Sequence, residues 1–198
     1  MTKAIGRPRE FSVDEILDKA IVYFRRFGYH SASISRLEEH TGITAGSIYK
    51  AFKNKQHFYQ LAFDRYIQNR HNDLQKRLTV CENARDKLYA FLMHYAEVSH
   101  GQQGNDGCMV VMSAIELSSS SDDIKNNIKR IFLALQRQLE KILKEGHQDG
   151  TIKISQFDIE TQAKFIVALL QGMRVVGKLD MTKSEVNKIV KFVMSFFS

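Results

Sequence analysis

The 198 residues carry 29 Lys and Arg against 22 Asp and Glu, a net charge of +7, with 43% hydrophobic residues and a single proline. That length suits one compact domain or a small head on a larger body, and the apolar share can fill a core. Two cysteines make no disulfide framework, and no apolar run has membrane length or the form of a secretory signal, so a reducing cytoplasm is expected.

The charge is uneven. Residues 1–77 hold 14 Lys/Arg and 8 Asp/Glu, a net +6, while residues 78–198 hold 15 and 14. A basic N-terminal third is what a phosphate-binding surface requires. The chain opens on MTKAIGRPR, a short basic arm with the only proline, Pro8. Arg7 and Arg9 are either minor-groove contacts or part of an untethered terminus. Ser12 and Glu15 then have capping-box spacing. Ile16, Leu17, Ala20, Ile21, Phe24 and Phe27 make a helical stripe that Gly28 ends, with Arg25 and Arg26 expected outside.

Ser33 to Phe58 reads as two short helices and a tight turn. Ser33 is placed to cap the first, where Ile34 and Leu37 are apolar. Gly42 ends it at a position expected to need φ > 0. Thr44 is placed to cap the second, where Ile48, Ala51 and Phe52 form the apolar face. Ala45, Ser47, Tyr49 and Lys50 lie on the other face. This is the helix-turn-helix pattern, and the first turn of its second helix reaches base edges. Ala45 suits a thymine methyl and Ser47 a base edge; Tyr49 and Lys50 suit phosphates. Ser33, Arg36 and Lys55 suit phosphates on either side, and Lys53 reads as a solvated turn residue.

The segment from Gly6 to about Tyr66 resembles the DNA-binding domain of the tetracycline-repressor (TetR) family of bacterial regulators. The residues that carry the likeness are FGYHSASI at Phe27 to Ile34, then TGIT, then SIYKAFKNKQHFY at Ser47 to Tyr59. Glu38 departs from the small residue many members have there. The resemblance implies an all-α protein of about nine helices. Residues 1–60 would be the DNA-binding head. Helix four, about 56–78, would link it to a ligand-binding and dimerisation body, 78–198. The family's usual DNA contacts fall on the positions named above.

Helical patterns follow at Arg85–His100, Cys108–Leu117, Asp122–Gly146, Phe157–Gly177 and Ser184–Phe197. GQQGNDG (101–107) reads as a loop and TIKI (151–154) as irregular, since a lone strand has no partner. The last two helices are apolar on more than one face, so part of that surface needs a cover outside the protomer. Phe165, Leu169, Met173, Val186, Ile189, Val193 and Phe196 are the candidates for a two-fold four-helix interface, the arrangement the TetR resemblance also implies.

Cys108 follows a glycine-rich loop and opens a helix, where free N–H groups favour a thiolate. GCMVVMSAIEL resembles a motif of one TetR subgroup; some members sense electrophiles or oxidants with that cysteine and others do not. Sensor and buried apolar filler both stand as readings of Cys108. Cys81 reads as a surface thiol. A cavity between the body helices is expected, with Phe63, Ile67, Phe91, Tyr95, Met109, Met112, Ile115, Phe132 and Met173 as candidate lining. His94 and His100 are too isolated to be ligands or bases. No cofactor or metal is expected, because no Cys/His pairing has zinc spacing and no glycine loop suits a phosphate. The sequence thus points to a homodimeric transcriptional regulator of palindromic double-stranded DNA, read as a repressor released by a small-molecule inducer or by electrophile modification of Cys108. An effector-free architectural DNA binder is the alternative. A thiol redox enzyme built on Cys108 lacks a CxxC motif or a base.

Overall fold

The structure, a computed structural model, describes residues 12–119, 121–154 and 156–198. Arg7 and Arg9 lie outside them. The described residues form ten α-helices: α1 (Val13–Phe27), α2 (Ile34–Thr41), α3 (Ala45–Phe52), α4 (Lys55–Thr79), α5 (Ala84–Ala96), α6 (Gly101–Asp106), α7 (Met109–Leu117), α8 (Asp122–Gln148), α9 (Ile159–Val176) and α10 (Lys183–Ser195). No strand forms among them, as expected for TIKI.

Local chemistry sets most of the ends. Ser33 Oγ accepts from Arg36 N–H and Thr44 Oγ1 from Ser47 N–H, each capping its helix. Gly42 closes α2 at φ 78, ψ 17, a left-handed conformation that costs a side-chain-bearing residue extra. Ser12 has an N-cap backbone, but its side chain makes no capping hydrogen bond, so the expected capping box does not close. The tenth helix is α6. Its glycines read as a loop, yet Gly104 N–H donates to the His100 carbonyl at 3.0 Å. A Cβ on Gly104 would meet the Gly177 carbonyl at 2.6 Å, so this turn is helical because backbone packs directly on backbone.

The apolar core has two parts. One gathers α1, α2, α3, the first half of α4, and α7. In it Phe52 and Phe58 stack at 4.1 Å, and Phe24 meets Phe58 and Tyr59 edge-on, which fixes α3 against α1 and α4. The other gathers the end of α4 with α5, the second half of α8, α9 and α10. Helix α7 therefore packs on α1 and α4 as well as on α8 and α9 of the body.

Three contacts tie α7 and its preceding turn to the head. Glu116 Oε2 accepts from the N–H groups of Tyr29 (2.6 Å) and His30 (3.2 Å). Tyr59 and Ser113 hydroxyls meet at 2.6 Å; because Ser113 donates to the Met109 carbonyl, Tyr59 is the donor. The third is Arg25. It is buried, not outside as expected. Its Nε donates to the Gly107 carbonyl (2.9 Å) and its Nη2 to the Gln103 carbonyl (2.8 Å). Arg26 stays partly exposed and pairs with buried Asp106 at 2.6 Å.

Gly28 makes the first of these ties possible. It ends α1 at φ 77, and a Cβ there would overlap the Glu116 carboxylate. Gly28→Ala should cost about 1–2 kcal/mol from backbone strain, plus loss of the Glu116 bonds. The unfolding midpoint in urea reads this; an unchanged midpoint would mean that the Glu116 clasp adds nothing.

Candidate DNA interface and effector cavity

Ile48 and Phe52 point α3 inward, so Tyr49 and Lys50 must point out. Tyr49 is 52% exposed and Lys50 is exposed; Ala45 and Ser47 are half-buried on the same helix. Thr44 Oγ1, besides capping, donates to Ser47 Oγ at 3.0 Å and orients it. Ser33 and Arg36 are exposed at the start of α2, and Arg36 Nη1 donates to the Ser31 carbonyl at 3.3 Å. Lys55 is different. Its ammonium donates to the carbonyls of Tyr29 (3.1 Å) and Ala32 (2.9 Å) and lies 4.2 Å from the Tyr29 ring centre, holding the α1–α2 turn. Lys53 is exposed and ends α3 at φ 63.

A cavity of about 140 Å³ lies between α4, α5, α8, α9 and the start of α7. Of the residues expected to line it, Ile67, Tyr95 and Phe132 do so, and Cys108 joins them. The others do not. Phe63, Phe91, Met109 and Met173 are buried elsewhere in the two cores, and Ile115 is 68% exposed on the outer face of α7. Met112, half-buried, is also outside the lining. Apolar spacing marks a buried stripe but not which part of it borders a void. The wall also holds two guanidiniums that apolar pattern-reading passes over, Arg70 of α4 and Arg174 of α9. The signal was there: Arg174 is a lone charge in the apolar run Phe165–Val176.

Cys108 is buried and forms the N-cap position of α7. Tyr66 donates its hydroxyl to the sulfur at 3.6 Å. Burial pushes the thiol pKa up. The Arg174 charge, the N–H groups of Val111 and Val110 and the Tyr66 hydroxyl outweigh it, and the net direction is below an ordinary thiol. Burial, with the Cys108 charge second, pushes the Tyr66 hydroxyl up to about 12, so it stays a donor at neutral pH. Cys81 goes the other way. It is half-buried, donates to the Arg77 carbonyl at 3.2 Å, and has a thiol raised by burial and by Asp86.

The Gly107 carbonyl, one residue before Cys108, accepts from two arginines. Arg25 comes from α1 in the head; Arg174, through Nη2 at 2.5 Å, comes from α9. The cysteine, the cavity wall and the head thus meet at one peptide.

On α9 and α10, Met173, Val186 and Val193 are buried within the protomer, so the expected interface set is corrected there. They fall on the inward stripe with Val190 and Phe197. Phe165, Phe192 and Phe196 are exposed, Leu169 and Ile189 half-buried, and Val175, Val176 and Leu179 extend this outer face.

Residues 16–61 match the family profile of bacterial regulatory proteins of the tetR family, and residues 84–193 that of the tetracyclin repressor-like C-terminal domain. The chain belongs to the TetR family. It is a DNA-binding transcriptional regulator. It is 30% identical to the HTH-type transcriptional repressor ComR of Escherichia coli (strain K12), over 89% of this chain and 84% of that one. To the fatty acid metabolism regulator protein of Bacillus subtilis (strain 168) it is 26% identical, over 70% of each. Among solved structures, a cysteine-substituted CifR in complex with 26-base-pair operator DNA superposes with a TM-score of 0.84, at 23% identity over 98% of this chain and 100% of that one. The reduced form of NemR from E. coli gives 0.76, at 19% identity over 93% and 97%. These two likenesses establish the TetR fold. Among the described residues, no helix is long and apolar enough to cross a membrane.

Proposed function

We propose that the protein is a homodimeric, cytoplasmic repressor of a palindromic operator, released when a small molecule enters the cavity or when Cys108 is modified. The head is residues 1–60, and α4 links it to the body from residue 78 on. Ser33, Arg36, Thr44, Ala45, Ser47, Tyr49 and Lys50 form the DNA surface. Lys55 contributes by setting the α1–α2 turn. Phe165, Leu169, Ile189, Phe192 and Phe196 form the dimer face.

One observation carries the coupling: the Gly107 carbonyl is held at once by Arg25 of the head and Arg174 of the cavity wall. An effector that favours a different position of this turn shifts α1 as well, and operator affinity falls by the same coupling energy. Cysteine-substituted CifR complexed with operator DNA and NemR in a form designated reduced support operator binding and thiol sensing here by analogy. Modification is an S-alkylation. The Cys108 thiolate attacks an electrophilic carbon, an S–C bond forms, and the leaving group departs with its electron pair; with iodoacetamide that group is iodide.

The test is a gel shift on the protein's own upstream DNA with iodoacetamide. Wild type and Cys81→Ser should leave the DNA, while Cys108→Ser stays bound. Equal release of Cys108→Ser would remove the thiol from the mechanism and leave the cavity ligand. An effector-free architectural binder would show no ligand or thiol dependence at all.

A further inference from the structure

The cavity wall is electrostatically incomplete. Arg174 is 2% exposed, and while its Nη2 is spent on the Gly107 carbonyl, its Nη1 has no hydrogen-bond partner. Arg70 on the facing helix α4 donates Nη2 to the His94 carbonyl at 3.0 Å and lies 6.0 Å from the Tyr95 ring centre. No Asp or Glu lines the cavity, and neither arginine has an ion pair among the described residues. A buried guanidinium without a carboxylate is costly, and removing that cost favours whatever anion fills the place. Most of the remaining wall is apolar, with Ile67, Leu74, Val110, Ile131, Phe132 and Leu135, while Tyr66, His71, Tyr95, Cys108 and Gln171 add polar groups. A volume of about 140 Å³ is close to the ~150 Å³ that admits benzene in an engineered apolar cavity.

We infer that the cavity receives a small molecule with one carboxylate and an apolar body of about one ring, the carboxylate on Arg174 Nη1 with Arg70 as the second cation. A planar guanidinium with a free N–H edge matches a carboxylate better than any neutral group of the same shape. The inference names the effector class for the release mechanism above and rests on that reading only for its consequence on DNA. It also predicts competition. The Cys108 thiolate and the carboxylate share the Arg174 charge, so each weakens the other reciprocally.

The probes are benzoate, phenylacetate and butanoate, each paired with its neutral amide, titrated into the full-length protein by calorimetry. At least one carboxylate should bind in the micromolar to millimolar range, tenfold or more tighter than its amide. Arg174→Met should abolish that preference while amide affinity stays within about twofold, which also shows the variant is folded. Arg70→Met should lower the preference in part, and Cys108→Ser should keep or raise it. Amide and carboxylate binding equally, a preference surviving Arg174→Met, or no carboxylate binding by 10 mM would each overturn the inference. The DNA readout separates the two claims. Carboxylate binding without operator release sinks release by a cavity ligand and leaves the anion site. Iodoacetamide release through Cys108 with no carboxylate binding does the reverse.

Discussion

The Tyr49→Ala/Lys50→Ala double variant should bind operator about 10³-fold more weakly than wild type. Both side chains project from α3 into solvent, and neither supports the core that Ile48 and Phe52 build behind them. Loss of contacts of this kind costs roughly 1–3 kcal/mol per half-site. A two-fold dimer loses them twice, and about 4 kcal/mol is a factor of ~10³. The two residues should separate by salt. Lys50→Ala alone should flatten the dependence of log affinity on log salt by about one per protomer, about two per dimer, whereas Tyr49→Ala leaves the slope unchanged. Fluorescence anisotropy at several salt concentrations reads both. Because these positions are exposed, the urea midpoint should move by no more than about 0.5 kcal/mol equivalent. Wild-type affinity in the double variant would mean that α3 does not face DNA.

Arg25→Met should destabilise the protein by about 3 kcal/mol. The side chain is buried, and its removal leaves the Gln103 carbonyl without that donor and takes one of two donors from the Gly107 carbonyl. Hydrogen bonds to a charged group contribute ~1.5–3 kcal/mol each, and methionine restores part of the packing but no donor. For a chain of this length the melting temperature should fall by about 6–12 °C. Arg26→Met is the control. Arg26 is far more exposed, and Asp106 keeps the Gln102 amide as a donor at 2.8 Å, so its loss should be smaller. At a temperature where Arg25→Met is still folded, it should also respond less to effector, since one of the ties from the Gly107 turn to α1 is gone. A melting temperature equal to wild type, or a full effector response, would show that the Arg25 contact neither holds nor couples the head.

The helix-turn-helix was legible because its chemistry is local. Ser33 caps an N–H three residues on, Thr44 does the same, and Gly42 needs only its own φ. Such contacts are decided within one turn of helix, and residue type states them directly. Cys108 at the start of a helix was legible for the same reason.

What the wider structure decided are the positions where partners lie far away in the chain. Arg25 reads as a solvated residue in the last turn of α1; it is buried because the carbonyl it serves is 82 residues on. Gly101–Asp106 is helical because the backbone of Gly177 seats against Gly104. Helical spacing marked α10 as two-faced, but only its packing turned Val186 and Val193 inward and left Phe192 and Phe196 out. The cavity goes furthest in this direction. A void is the space that five elements leave unfilled, so no single segment encodes it. The unpartnered edge of Arg174 exists only because no carboxylate from any of those elements reaches it.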